Sequence, residues 1–285
     1  MKSDGTPSLT ALLAAAARAA HLVVDDAPPL FTDTVAYALL GMHAEELIGH
    51  HRTYGEHPLL AGARVGVTAR SRYTEGCLAS GVRDGIDQYV ILGAGLDSYA
   101  FRSDGGVRTF EVDHPDTQEW KRAQAAGAGL ESPDMTYVPV DLETEPLADG
   151  LLKYGFDPAR PALFSWLGVT MYLTRGAIAE TLTTIAAFAP GTQIVVDTML
   201  SADHRDEAGQ SYLDILIPAF AQHGEELRSF LSPDEVVALL AECGYETIEQ
   251  VDQRASVDAA LWDRSDSLRP AQLSLLTHAR LRGRP

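Results

Sequence analysis

Cysteine is nearly absent from this chain of 285 residues: Cys77 and Cys243 lie far apart, and neither has a CxxC or Cys/His spacing around it. That excludes a disulfide framework or a structural zinc site and points to a reducing cytoplasm. Positive charge is scarce as well, with 22 Lys and Arg against 40 Asp and Glu and a formal net charge of −18. Neutralising a nucleic-acid backbone or an anionic membrane needs clustered cations, so neither partner is expected. No apolar run reaches the roughly 18 residues of a membrane span. The alanine-rich stretch Leu9 to Ala20 follows a single basic Lys2 and turns acidic by Asp25 and Asp26, which does not read as a secretory signal. His50, His51 and His57 have a spacing that puts adjacent rings on different helix faces, and no metal is expected there.

What the chain does contain is apolar mass, 46% of its residues, enough to bury a large core as one sizeable α/β domain or one domain with a cap. Helical spacing runs through 8–22, 33–49 and 64–81, with Thr32 or Asp33 as a cap for the second. Strand candidates follow at 88–93, 107–112, 136–140, 162–167 and 192–198, with helical stretches such as 116–127 and 175–189 between them. That alternation predicts a doubly wound, mostly parallel sheet, Rossmann-like, and strand candidates at 245–251 and 272–281 bring it to seven. Asp116-x-x-Glu119 and Ser232-x-x-Glu235 have the capping-box form and place helix starts after Pro115 and near Ser232. The division expected is a helical lid or buttress over 1–82 and a core over 83–285. An insertion at 201–230, with a helical piece from Tyr212 to Phe220, is positioned to cover a site.

Tyr89-Val90-Ile91-Leu92-Gly93-Ala94-Gly95-Leu96-Asp97 is an apolar run that ends in two glycines one residue apart. It reads as a central strand feeding a tight turn where the backbone can approach a nucleotide-like ligand. A dinucleotide fingerprint needs a third glycine, and Ser98 stands in that place, which weakens a NAD reading. Asp113 ends the next strand candidate 18 positions after Gly95, close to the spacing of a carboxylate that takes ribose hydroxyls. Asp141 follows a third strand candidate, where an acid can accept from an adenine amino group. Glycine turn, ribose acid and later acid together suggest adenosine.

The stretch Gln88 to Arg102 resembles the core motif of the leucine carboxyl methyltransferase family of S-adenosylmethionine-dependent enzymes, which includes bacterial O-methyltransferases of natural-product pathways. The resemblance extends to Arg70-Ser71-Arg72-Tyr73, Glu111 to Pro115 with Lys121-Arg122, Val140-Asp141-Leu142, Phe164 to Leu173, Phe230 to Glu235 and Gly244. It implies a class I methyltransferase fold and S-adenosyl-L-methionine as cofactor. Arg70 would hold the methionine carboxylate; Gly93, Ala94, Gly95 and Asp97 would form the cofactor turn; Asp113 and His114 would meet the ribose; Asp141 and Leu142 would bracket the adenine. Arg102 reads as structural. Many members carry Trp-Glu-Gly-Val where this chain has Trp166-Leu167-Gly168-Val169, so contact with the cofactor's ammonium shifts to backbone carbonyls near Ser165 and Trp166.

Methyl transfer from a sulfonium is an in-line displacement, so alignment of the acceptor dominates and no catalytic residue is singled out. A carboxylate acceptor needs no base, whereas a hydroxyl must lose a proton. Tyr73, Tyr172 and Tyr212 are the candidates for lining the substrate pocket. The expected acceptor is a carboxylate or hydroxyl of a small molecule, a polyketide or peptide-derived secondary metabolite. A protein or peptide carboxylate is the alternative, and an NAD-linked oxidoreductase or a non-catalytic cofactor-binding protein remains from other classes.

Overall fold

A computed structural model describes residues 7–142, 144–222 and 224–283. Seven strands form one sheet in the order β3-β2-β1-β4-β5-β7-β6: β1 (Gln88–Leu92), β2 (Arg108–Asp113), β3 (Met135–Pro139), β4 (Leu163–Trp166), β5 (Gln193–Met199), β6 (Tyr245–Asp252) and β7 (Ser274–Leu281). The β1 to β5 ladders are parallel, while β7 runs antiparallel to both β5 and β6. The central strands are apolar without alternation because helices cover both faces; all of β1 and β4 is buried. The chain steps outward from β1 to β3 and then jumps back to β4. That reversal opens a crevice at the carboxyl ends of β1 and β4, where open α/β sheets take their ligands.

On one face Val90, Phe110, Phe164 and Ile194 pack under α7 (Leu147–Lys153), α8 (Arg175–Ile185) and α10 (Pro233–Glu242). Phe156 meets Phe110 and Phe164 edge-on there, contacts worth about 0.5–1.5 kcal/mol each beyond their buried area. On the other face Tyr89, Ile91, Leu163 and Val195 pack under Cys77 and Leu78 of α4 (Pro58–Arg83). A further apolar cluster joins α1 (Leu9–Val24), α2 (Ala36–Leu39) and α3 (Ala44–Tyr54) to Leu96 in the β1 turn and Ala125 of α6 (Pro115–Gly127). Among the described residues no helix is long and apolar enough to cross a membrane.

The strand candidates match the observed strands to within two residues, but several helix boundaries differ. The single helix expected over 33–49 is two helices joined by a short 3-10 turn at Gly41–His43, where Gly41 adopts φ +55. Asp33 does cap this region, accepting from Val35 and Ala36 N–H. α4 starts at Pro58 rather than 64, because proline suits the first helical position and His57 caps it. The Asp116–Glu119 capping box does not form: α6 begins one residue earlier, at Pro115, with His114 Nδ1 accepting from Asp116 N–H at 3.3 Å. The box at Ser232 and Glu235 forms as expected. The inserted helix, α9, runs from Glu207 to Gln222, five residues earlier than the apolar pattern suggested.

Candidate active site

The turn after β1 has Gly93 at φ +63 and Gly95 at φ +52, conformations that side chains other than glycine's rarely adopt. The space a Cβ would occupy is filled by protein: Val169 lies 2.5 Å from that point on Gly93, and Ala11 of α1 lies 3.2 Å from it on Gly95. The glycines therefore serve packing of the turn between α1 and the loop after β4, besides any approach to a ligand. Asp113, at the end of β2, accepts from Gly95 N–H at 2.5 Å with one oxygen and from His114 N–H at 2.7 Å with the other. Burial pushes its carboxyl up from the usual range while those two N–H groups pull it back.

Ser98 donates to Asp33 at 2.6 Å and accepts from Arg102 Nε at 3.0 Å. Arg18 of α1 pairs with the same Asp33 at 2.8 Å and donates to Leu96 O at 2.6 Å. Arg102 also pairs with Glu75 and lies over the Phe31 ring. The residue in place of a third glycine is thus a fastener between the turn and the helical layer, and Arg102 is structural as read. Asp97 accepts from Tyr99 N–H and starts the short α5 (Tyr99–Arg102). Ala94 is buried and donates its N–H to Val112 O.

Arg70 of α4 reaches the same sheet edge. Its Nη1 donates to Asp197 Oδ2 of β5 at 3.1 Å, and Gly168 N–H donates to that oxygen at 3.2 Å. The guanidinium lies so close over Gly168 that a Cβ there would come within 2.8 Å of it. Nearby, Tyr172 faces Phe220 of α9 with ring centroids 6.4 Å apart. Burial, reinforced by the Glu225 carboxylate and by Tyr212, pushes the Tyr172 hydroxyl well above the phenol range, with Thr10 of α1 and Arg70 acting the other way. Tyr212 packs its ring on Gly62 of α4. Burial pushes its hydroxyl up to about 12 against the field of Arg70. Both phenols are protonated at neutral pH.

The structure therefore gathers Gly93, Ala94, Gly95, Asp97 and Asp113 at the mouth of β1 and β2, and Arg70, Tyr172 and Tyr212 beside β4 and β5. Asp141 lies in the loop after β3, where its Oδ2 accepts from Thr144 at 2.9 Å, and Leu142 is exposed beside it. The side chains of the other four expected residues have these partners. Ser165 is buried within β4 with its hydroxyl bonded to Tyr89 at 2.9 Å, and Trp166 turns into the opposite core. Tyr73 sends its hydroxyl to Glu249 of β6 at 2.9 Å. His114 spends its Nδ1 on the α6 cap. Sequence reasoning missed Asp197, Thr10 and Glu225, whereas Phe220 belongs to the inserted segment read as a cover. Asp197 carried a related signal, an acid directly after the apolar run Ile194-Val195-Val196, though β5 continues to Met199; Thr10 and Glu225 carried none. Among the described residues no cluster of three or more His, Cys, Asp or Glu is arranged to hold a metal ion.

The chain is similar to known proteins. A family model described as leucine carboxyl methyltransferase matches residues 11–186. YktD of Bacillus subtilis (strain 168), which bears the name of an S-adenosyl-L-methionine-dependent methyltransferase, is 29% identical over 297 residues, covering 95% of this chain and 97% of that one. A protein of Parafrankia sp. (strain EAN1pec) with the same kind of name is 36% identical over 151 residues, 48% of each chain. A crystal structure from Thermobifida fusca YX, named as a methyltransferase, shares the fold with a TM-score of 0.60 at 16% identity, over 99% of this chain and 97% of that one.

Proposed function

Since the chain belongs to the leucine carboxyl methyltransferase family and is an S-adenosylmethionine-dependent methyltransferase, we propose that it methylates a hydroxyl or carboxylate oxygen of a small molecule of the secondary-metabolite kind. The observation that carries this reading is the aromatic and apolar wall formed by Tyr172, Tyr212 and Phe220 beside Arg70. Such a wall suits a compact, partly aromatic acceptor better than an extended peptide.

The residues present fit the cofactor. Asp113 keeps lone pairs for ribose hydroxyls while its oxygens hold the glycine turn in shape. Leu142 offers exposed apolar surface to a base, and Arg70, held from behind by Asp197, has donors left for a carboxylate. When bound, S-adenosylmethionine supplies an electrophilic methyl group on a sulfonium. The chain's part is to align the acceptor and exclude water, with α1 and α9 as the covering elements. Tyr172 and Tyr212, both protonated, donate to the acceptor and orient it. Glu225, near Tyr172, is the acid available to receive a proton from a hydroxyl acceptor.

Incubation with cofactor carrying a labelled methyl group, against small phenols, small carboxylates and peptides with free C-termini, tests the reading. Label transfer to small phenols or carboxylates is the expected result. Transfer only to peptides assigns the protein-carboxylate alternative, and binding without transfer to any of the three overturns the enzymatic small-molecule reading.

A further inference from the structure

Asp197 is one of the buried carboxylates among the described residues with an oxygen that no donor reaches, and the one of them that pairs with Arg70. It is 2% exposed, and only one of its two oxygens has donors: Oδ2 accepts from Arg70 Nη1 and Gly168 N–H, while Oδ1 is buried with no hydrogen-bond partner. The Ser274 hydroxyl on β7 also acts on the carboxylate, favouring its charged form, without meeting hydrogen-bond geometry at Oδ1. A buried carboxylate oxygen left without a donor costs free energy; the same holds for Glu111 Oε1, but Glu111 lies beneath β2 with Lys121, whereas Asp197 stands at the crevice with Arg70.

Its position suggests the missing donor. The β4–β5 register sets Trp166 opposite Val196, so Asp197 stands one step further out, beside Leu167 at the crevice. Residues alternate across a strand, which places Asp197 on the face of Val195 and Leu163, the face that α4 covers with Arg70. The edge therefore presents a guanidinium and a half-satisfied carboxylate 3.1 Å apart. An α-amino acid zwitterion carries the complementary pair, carboxylate and ammonium, on a single carbon. Bound against this ion pair it closes a ring of four alternating charges, and the ammonium gives Oδ1 the donor it lacks.

We propose that Asp197 binds the α-ammonium of the cofactor's amino-acid end, acting with Arg70 as a zwitterion clamp. This rests on the reading of Arg70 as the carboxylate ligand. Leu167, directly after β4, has no polar side-chain atom with which to share the task. Asp197 also positions Arg70, so the two functions are separated by the ligand and not by activity.

The test is calorimetric titration of wild type and Asp197→Asn with S-adenosylhomocysteine and with its analogue lacking the α-amino group, folding of each variant being checked by circular dichroism. Wild type is expected to bind the analogue at least tenfold more weakly than the parent compound. Asp197→Asn is expected to bind the two within about twofold of each other. Should that variant not fold, Arg70→Gln/Asp197→Asn, which leaves no unpaired charge, is measured in its place with the same expectation. Equal binding of the two ligands by wild type overturns the proposal, as does a folded variant that still distinguishes them tenfold. If wild type binds neither ligand, the cofactor reading itself has failed, which is a different outcome from failure at Asp197 alone and also overturns the clamp.

Discussion

Asp113 joins backbone order to ligand contact. Its two oxygens hold Gly95 and His114 N–H, so the carboxylate shapes the turn before any ribose arrives. Asp113→Ala is expected to weaken S-adenosylmethionine binding by about 1.5–3 kcal/mol, the scale of hydrogen bonds to a charged group, as read by calorimetric titration. Unchanged affinity in the folded variant would remove Asp113 from the cofactor site. Lys121 and Glu111 form another one-residue lesson. They pair at 2.5 Å, both fully buried, beneath β2. Burial pushes the Glu111 carboxyl up to about 7 against the field of Lys121. Glu111 is thus placed to stabilise the scaffold and not to meet a ligand.

At the scale of elements, the helical layer is fastened by charge as much as by apolar contact. Arg18 links α1 to the cofactor turn through Leu96 O and Asp33. Further along, Arg64 of α4 holds Asp25 at 2.7 Å and the Gly55 carbonyl at 2.8 Å, and it donates to His51 Nδ1 of α3 at 3.1 Å. A guanidinium only donates, so His51 accepts at Nδ1 and is neutral. Burial, with Arg64 beside it, lowers its pKa from 6.5 to about 4. A histidine with a depressed folded-state pKa adds stability above its unfolded pKa of 6.5 and loses it as pH falls toward about 4. Denaturation by urea is expected to show wild type losing about 2 kcal/mol more than His51→Gln between pH 7.5 and pH 5. Parallel pH profiles for the two proteins would contradict this account of His51.

For the molecule as a whole, the strand order decides where chemistry happens. The jump from β3 back to β4 sets the turn at 93–95 beside the loop 167–172, and the long α4 carries Arg70 across to β5. A ligand that binds only the folded state raises stability by about 2.7 kcal/mol at a hundred times its dissociation constant. A melting curve with saturating S-adenosylmethionine is accordingly expected to shift upward, while the same concentration of NAD leaves it unmoved because Ser98 and Asp33 fill the place of a third glycine. A matching shift with NAD would overturn the choice between the two cofactors.

The sequence by itself determined the strands, their burial and the cofactor turn. Those depend on local apolar runs, glycines and acids at strand ends, all written in contiguous residues. It also determined the family, through motifs spread from Arg70 to Gly244. It did not reveal that Gly93 and Gly95 are packed by Val169 and Ala11, that Ser165 bonds Tyr89 and Tyr73 bonds Glu249, or that Asp197 and Arg70 meet across 127 positions. Side-chain direction and partner are set by which helix lies on which face, and that is settled only when the sheet closes its order and α1, α4 and α9 pack upon it.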